Sequence, residues 1–275
     1  MRCDSHIHIV GSIERYPQLA NRSGTMGIAD IAAVRRHGAA RGISRFVIVQ
    51  PSFYGTDNSM LLHGLDALGG DGRAVAVIEA SSAKPAMLAD WNRRGVRGLR
   101  INMYSPIGRP QSLRQSFADM SAIARDMKWH VEVIAPLPAL LEHAELVAGS
   151  RVLVVLDHYG VFGNAAPDSR EGRELLDLVR QPRVWMKVSA PYRVCGNPLE
   201  TKPPIAWLKA LAEAAPQRCV GGSDWPHTPA HDATDGAYRP IDYAVLVDDF
   251  LTALPASLAD AVMRDNPARL YDFAG

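Results

Sequence analysis

Short apolar runs alternate with stretches of helical periodicity along the whole chain. The runs predict strands near 2–8, 45–51, 74–79, 97–102, 130–135, 152–158, 184–190 and 219–224. Helical faces fall between them. Ile28, Ile31 and Val34 mark one that closes at Gly42. Asp57-Asn58 caps a second, with Leu61, Leu65 and Leu68 on its face and Gly69-Gly70 at its end. Leu113, Phe117, Met120, Ile123 and Met127 form a third stripe, and Leu140, Leu141, Ala144 and Val147 a fourth before Gly149. Strand and helix alternating eight times predict an α/β fold, a single (β/α)8 TIM barrel of about 250 residues, with 1–275 as one domain. An open doubly wound sheet is disfavoured, since no Gly-x-Gly-x-x-Gly follows the first strand. Long connections near 9–27 and 190–203 follow strand C-termini, where barrels build their sites.

Strand parity then selects candidate chemistry. Asp4, His6 and His8 share one face of the first strand, predicted inward, with the imidazoles about 6–7 Å apart. Imidazoles there bind a metal or donate to a carbonyl; the alternative is a pair satisfied by core hydrogen bonds. His158 shares parity with Val152, Val154 and Leu156 and is predicted inward at the end of the sixth strand. Asp224 ends the eighth strand after Gly221-Gly222, as a general base, a metal ligand or a cap. Arg100 and Asn102 share a face of the fourth strand. A buried arginine demands an anion, either a substrate or a pair with Glu132 or Asp224. Lys187 beside Ser189 is an ion-pair or binding residue, and Glu132 follows His130 on the same face. Tyr54, Tyr159, Arg109, His227 and His231 are loop residues at the same barrel end.

Composition narrows the class. Hydrophobic residues at 47% and charged residues at 21% fit a folded domain rather than disorder. A net charge of +1 leaves no footprint for nucleic acid and favours no oligomeric state. Cys3, Cys195 and Cys219 have no framework spacing, so reduced thiols and a cytoplasmic location are expected. No apolar leader and no membrane-spanning run is read, so no membrane partner is expected.

The set Asp4-Ser5-His6-Ile7-His8, Leu156-Asp157-His158 and Ser223-Asp224-Trp225-Pro226 resembles the amidohydrolase superfamily. Gln50-Pro51-Ser52, Gly55-Thr56-Asp57-Asn58, Gly95 to Asn102, Lys187-Val188-Ser189, Pro191-Tyr192-Arg193 and Asp265 to Tyr271 extend the likeness to its 2-pyrone-4,6-dicarboxylate lactonase group. That resemblance implies a cytoplasmic hydrolase opening a small carboxylated lactone. Asp224 would activate water; His6, His8 and His158 would polarise the ring carbonyl. Arg100 and Arg193 would hold the substrate carboxylate and Ser52 would bond it, with Asn102, Glu132 and Lys187 as further contacts. It implies either one divalent ion, Zn or Mn, on His6, His8 and Asp224, or a route without metal, because both kinds occur among such relatives. Two departures stand out. The fourth strand carries Arg100 where many members have a metal-bridging lysine, and no arginine follows His158. Alternatives are a metal-dependent decarboxylase of an aromatic or unsaturated acid, although Arg2 replaces the acidic residue usual there, and a non-catalytic carboxylate binder.

Overall fold

The computed structural model describes residues 1–22, 24–230, 233 and 235–273. Eight parallel strands follow one another in spatial order: β1 (Arg2–Ile7), β2 (Ile43–Val49), β3 (Gly72–Ala76), β4 (Val96–Asn102), β5 (His130–Ile134), β6 (Val154–Leu156), β7 (Val184–Ser189) and β8 (Cys219–Gly222). The sheet closes where His8 N donates to Trp225 O at 2.7 Å and Asp224 N to His6 O at 2.8 Å. The predicted (β/α)8 barrel is therefore what forms, with each strand within a few residues of its predicted bounds. Gly222 permits the closure: a Cβ there would meet His6 Cβ at 2.7 Å and His6 N at 2.8 Å.

Two cores result. The larger lies between sheet and helices and takes Phe46, Ile48, Leu99, Val154, Leu156 and Met186 from the strands. The smaller fills the lumen with Val47, Val49, Val75, Val155 and Val220, and the segment Leu270–Phe273 packs into it. Arg45 and Arg73 stack on Phe273, and Arg73 Nε donates to Tyr271 O at 3.0 Å. Phe273 thus seals the floor of the barrel at the N-terminal ends of the strands.

The predicted helices form with two differences. Ile28 is exposed, because the first helix runs only Ile31–Ala39, capped by Asp30 accepting from Ala33 N at 2.8 Å. The fourth stripe splits into Leu137–Glu142 and Ala144–Ala148, because His143 leaves helical geometry at φ −113°, ψ 18°. No helix among the described residues is long and apolar enough to cross a membrane.

Candidate active site

Two parity expectations are corrected by the backbone. Between Asp4 and Ile7, β1 advances three residues while β2 advances two, from Phe46 to Ile48. This bulge keeps His6 and His8 in the lumen but leaves Asp4 outside. Asp4 instead accepts from Ser223 N at 2.9 Å and from Tyr243 OH at 3.1 Å on a surrounding helix. Burial raises its pKa to about 6 against those bonds. In β6 the inward residues are Val155 and Asp157, while Val154 and Leu156 face the helices. His158 reaches the mouth because the chain turns there through left-handed φ values, 47° at His158 and 54° at Tyr159. Asp224, at φ 60°, turns in the same way beyond β8. Non-glycine residues held in this region cost about 1–2 kcal/mol each and concentrate at functional sites.

The mouth holds one cavity lined by His8, His158, Asp224, Ser52, Asn102, Arg100 and Arg193. The expected base, two of the three histidines and four of the expected binding residues therefore meet. A second cavity of about 750 Å³ adjoins it and shares Ser52, Arg100 and Asn102; Arg109 lies there. His6, Glu132 and Lys187 are fully buried one layer deeper. Tyr54, Tyr159 and His227 are buried away from the cavity, and His231 lies outside the described residues.

Beneath the mouth lies a buried charge cluster. Lys187 Nζ bonds Glu132 Oε2 and sits 3.4 Å from Asp157 Oδ1 and 3.2 Å from His6 Nδ1. Arg100 bonds Asp157 Oδ2 at 3.0 Å and lies 3.6 Å from Glu132 Oε1. Two cations thus meet two carboxylates, which is how a lumen tolerates such charge. Burial would raise the Asp157 pKa, but Lys187, His6 and Arg100 hold it well below the carboxylate range. Parity with Val155 is the sequence signal that could have found Asp157.

Asp224 divides its two oxygens. Oδ2 accepts from Arg193 Nε at 2.5 Å and Tyr192 OH at 2.6 Å. Oδ1 is buried without a hydrogen-bond partner, 3.2 Å from His8 Nε2 and 3.5 Å from His6 Nε2. Burial favours the protonated acid, yet Arg193 foremost, with His158 and His6 nearby, holds the Asp224 pKa well below the usual range. Burial lowers the His158 pKa to about 4, against the opposing pull of Asp224, so its ring is neutral at pH 7. His158 Nδ1 meets Ser189 Oγ at 2.8 Å.

Tautomers decide what the other two rings offer. His8 Nδ1 lies 2.7 Å from the Val49 carbonyl, which only accepts, so Nδ1 carries hydrogen. Its Nε2 faces Asp224 Oδ1, and that pair is satisfied by a proton on His8 or by a cation. His6 Nδ1 has a donor, Lys187, at 3.2 Å and an acceptor, Asp157, at 3.5 Å. Taking the lysine proton leaves N–H on Nε2, a donor aimed at the mouth. Giving a proton to Asp157 frees Nε2 as a ligand. His6, His8 and Asp224 have ligand atoms within 4.8 Å of one another, and two of those atoms are otherwise unpartnered, so one divalent ion fits. His6, Asp157 and His158 form a second such group. Lys187 already bears on two members of that group, His6 and Asp157.

Residues 3–273 match the amidohydrolase family. Among curated proteins the chain is 28% identical to a 4-sulfomuconolactone hydrolase of Rhizobium radiobacter, covering 98% of this chain and 89% of that one. It is also 28% identical to a 2-pyrone-4,6-dicarboxylate hydrolase of Comamonas testosteroni, over 98% and 89%. A solved structure from Pseudomonas putida, proposed to hydrolyse 2-pyrone-4,6-dicarboxylic acid, superposes with a TM-score of 0.84 at 28% identity, over 100% and 98%.

Proposed function

Because the chain belongs to the amidohydrolase family, we propose that it is a hydrolase that opens a small, anionic lactone by water attack on the ring carbonyl. The observation that carries this reading is Asp224 Oδ1, buried, without a hydrogen-bond partner and facing two imidazoles at the mouth. The curated relatives described above are hydrolases of lactones, which also weighs against decarboxylation.

Asp224 is the general base. Its Oδ1 takes a proton from water while the water oxygen bonds the carbonyl carbon. Negative charge gathers on the carbonyl oxygen. His8 and His158 on the cavity wall and His6 behind them stabilise it, and one well-placed donor contributes about 3–4 kcal/mol. Collapse breaks the ring carbon–oxygen bond, and Asp224 returns the proton to the leaving oxygen. No covalent enzyme intermediate forms. Ser52, Asn102, Arg100 and Arg193 line the wall that positions the ring. Glu132 and Lys187 act from below as positioning residues. A Zn or Mn ion on His6, His8 and Asp224, where bound, would add Lewis-acid polarisation of the carbonyl.

The test is a panel of muconolactones, pyrone carboxylates and sugar lactones, each followed by acid release. Wild type should open at least one, and Asp224→Asn should reduce kcat at least about a thousandfold. Carbon dioxide release from a hydroxybenzoate without lactone opening would overturn the reading.

A further inference from the structure

Three arginines line the catalytic cavity: Arg22, Arg100 and Arg193. Two are already matched by protein carboxylates, Arg100 by Asp157 and Arg193 by Asp224. Arg22 is different. Its Nη1 donates to Leu19 O at 2.8 Å and its Nη2 to Thr25 Oγ1 at 2.7 Å, both neutral acceptors. Its Nε is buried with no partner. Among the described residues, no carboxylate forms an ion pair with it.

The loop that carries Arg22 is built rather than loose. Gln18, itself buried, clips it at both ends: Oε1 accepts from Met26 N at 2.9 Å and Nε2 donates to Met26 O at 2.9 Å. Leu19 N donates to Phe53 O at 2.8 Å and ties the loop to the turn beyond β2. The guanidinium is therefore held against the cavity before any ligand arrives, which lowers the ordering cost of binding.

A charge count sharpens the point. The three lining arginines and Lys187 give four cations; Glu132, Asp157 and Asp224 give three anions. Among these fixed charges one positive charge is left over, and its bearer is Arg22, which a bound anion would match.

We propose that Arg22 is the specificity-determining residue, binding a carboxylate of the anionic lactone, and that Arg100 and Arg193 serve the protein's own carboxylates. This rests on the lactone reading for the substrate, but its test does not need turnover. The probes are 2-furoate, a planar five-membered ring with one carboxylate, and its neutral methyl ester. Each is titrated calorimetrically into wild type, Arg22→Gln and Arg22→Lys. We expect wild type to bind 2-furoate, Arg22→Gln to weaken it about ten- to a hundredfold, as for loss of a charge-assisted bond, and Arg22→Lys to recover part of that. The ester should bind both variants as it binds wild type. Binding of 2-furoate to Arg22→Gln within twofold of wild type, or no binding to wild type, overturns the assignment. Lactone opening measured on the same wild-type preparation reports separately on the preceding proposal.

Discussion

Replacing Lys187 with methionine removes the ammonium that holds the lumen's charge cluster together. Methionine fills similar volume, so the perturbation is chiefly electrostatic. Lys187 is fully buried, touching Glu132 and lying 3.4 Å from Asp157. At an effective dielectric near 20, one such contact at this distance amounts to about 5 kcal/mol. Removing the lysine also relieves the desolvation of its own charge, several kcal/mol, so the net loss should be about 3–5 kcal/mol. Glu132 and Asp157 would then face Arg100 alone, one negative charge in excess. Lys187→Met/Glu132→Gln restores balance, with Arg100 against Asp157, and should recover at least about 1 kcal/mol relative to the single variant. Urea unfolding followed by tryptophan fluorescence measures all four corners of the cycle. If Lys187→Met lies within about 1 kcal/mol of wild type, or if the two substitutions simply add, the cluster is not the charge-balanced unit described above.

Other expectations concern the site itself. A base must be deprotonated to work, and Asp224 is held below the usual range while His158 loses its proton near pH 4. Wild-type kcat/KM should therefore stay level through neutral pH and fall only as pH drops toward about 4. In Arg193→Gln the main cation opposing burial at Asp224 is gone, so the acid limb should move up by at least about one pH unit. A limb that stays put in a pH–rate profile would contradict the role given to Arg193. Lys187 is nearer than Asp157 to His6 Nδ1, which favours N–H on His6 Nε2. Activity is accordingly expected to survive treatment with dipicolinate. Loss of activity restored by Zn or Mn would reverse the tautomer and make His6 a ligand.

Much of this architecture was legible because barrel strands announce themselves as short apolar runs between helical stripes. His8, Asp224 and Arg100 are legible for the same reason, as polar residues on strands, whereas Ser52 follows only from the family resemblance. The errors have local physical causes. Period-two alternation misplaced Asp4 because one extra residue bulges β1, which no hydrophobic pattern reports. The same rule credited His158 with an inward face that belongs to Asp157, because a left-handed turn re-aims His158 after the strand has ended. Arg22 escaped because loops carry no period, and its importance lies in its acceptors being neutral, Leu19 O and Thr25 Oγ1, with no ion pair among the described residues. The ion-pair alternative for Lys187 is the one the structure realises. The pairing of Arg100 with Asp157 depends on the register of three strands, β4 to β6.

Tyr271 and Phe273, wedged under the lumen, give the barrel a one-way character. During synthesis this stopper emerges after every strand, so drying of the ion cluster from below must wait for it. In the finished protein, Phe273 lies on the side opposite the catalytic opening. Immobilising the enzyme through that side should leave ligand traffic unobstructed, while a bulky graft on the loop carrying Arg22 should choke it.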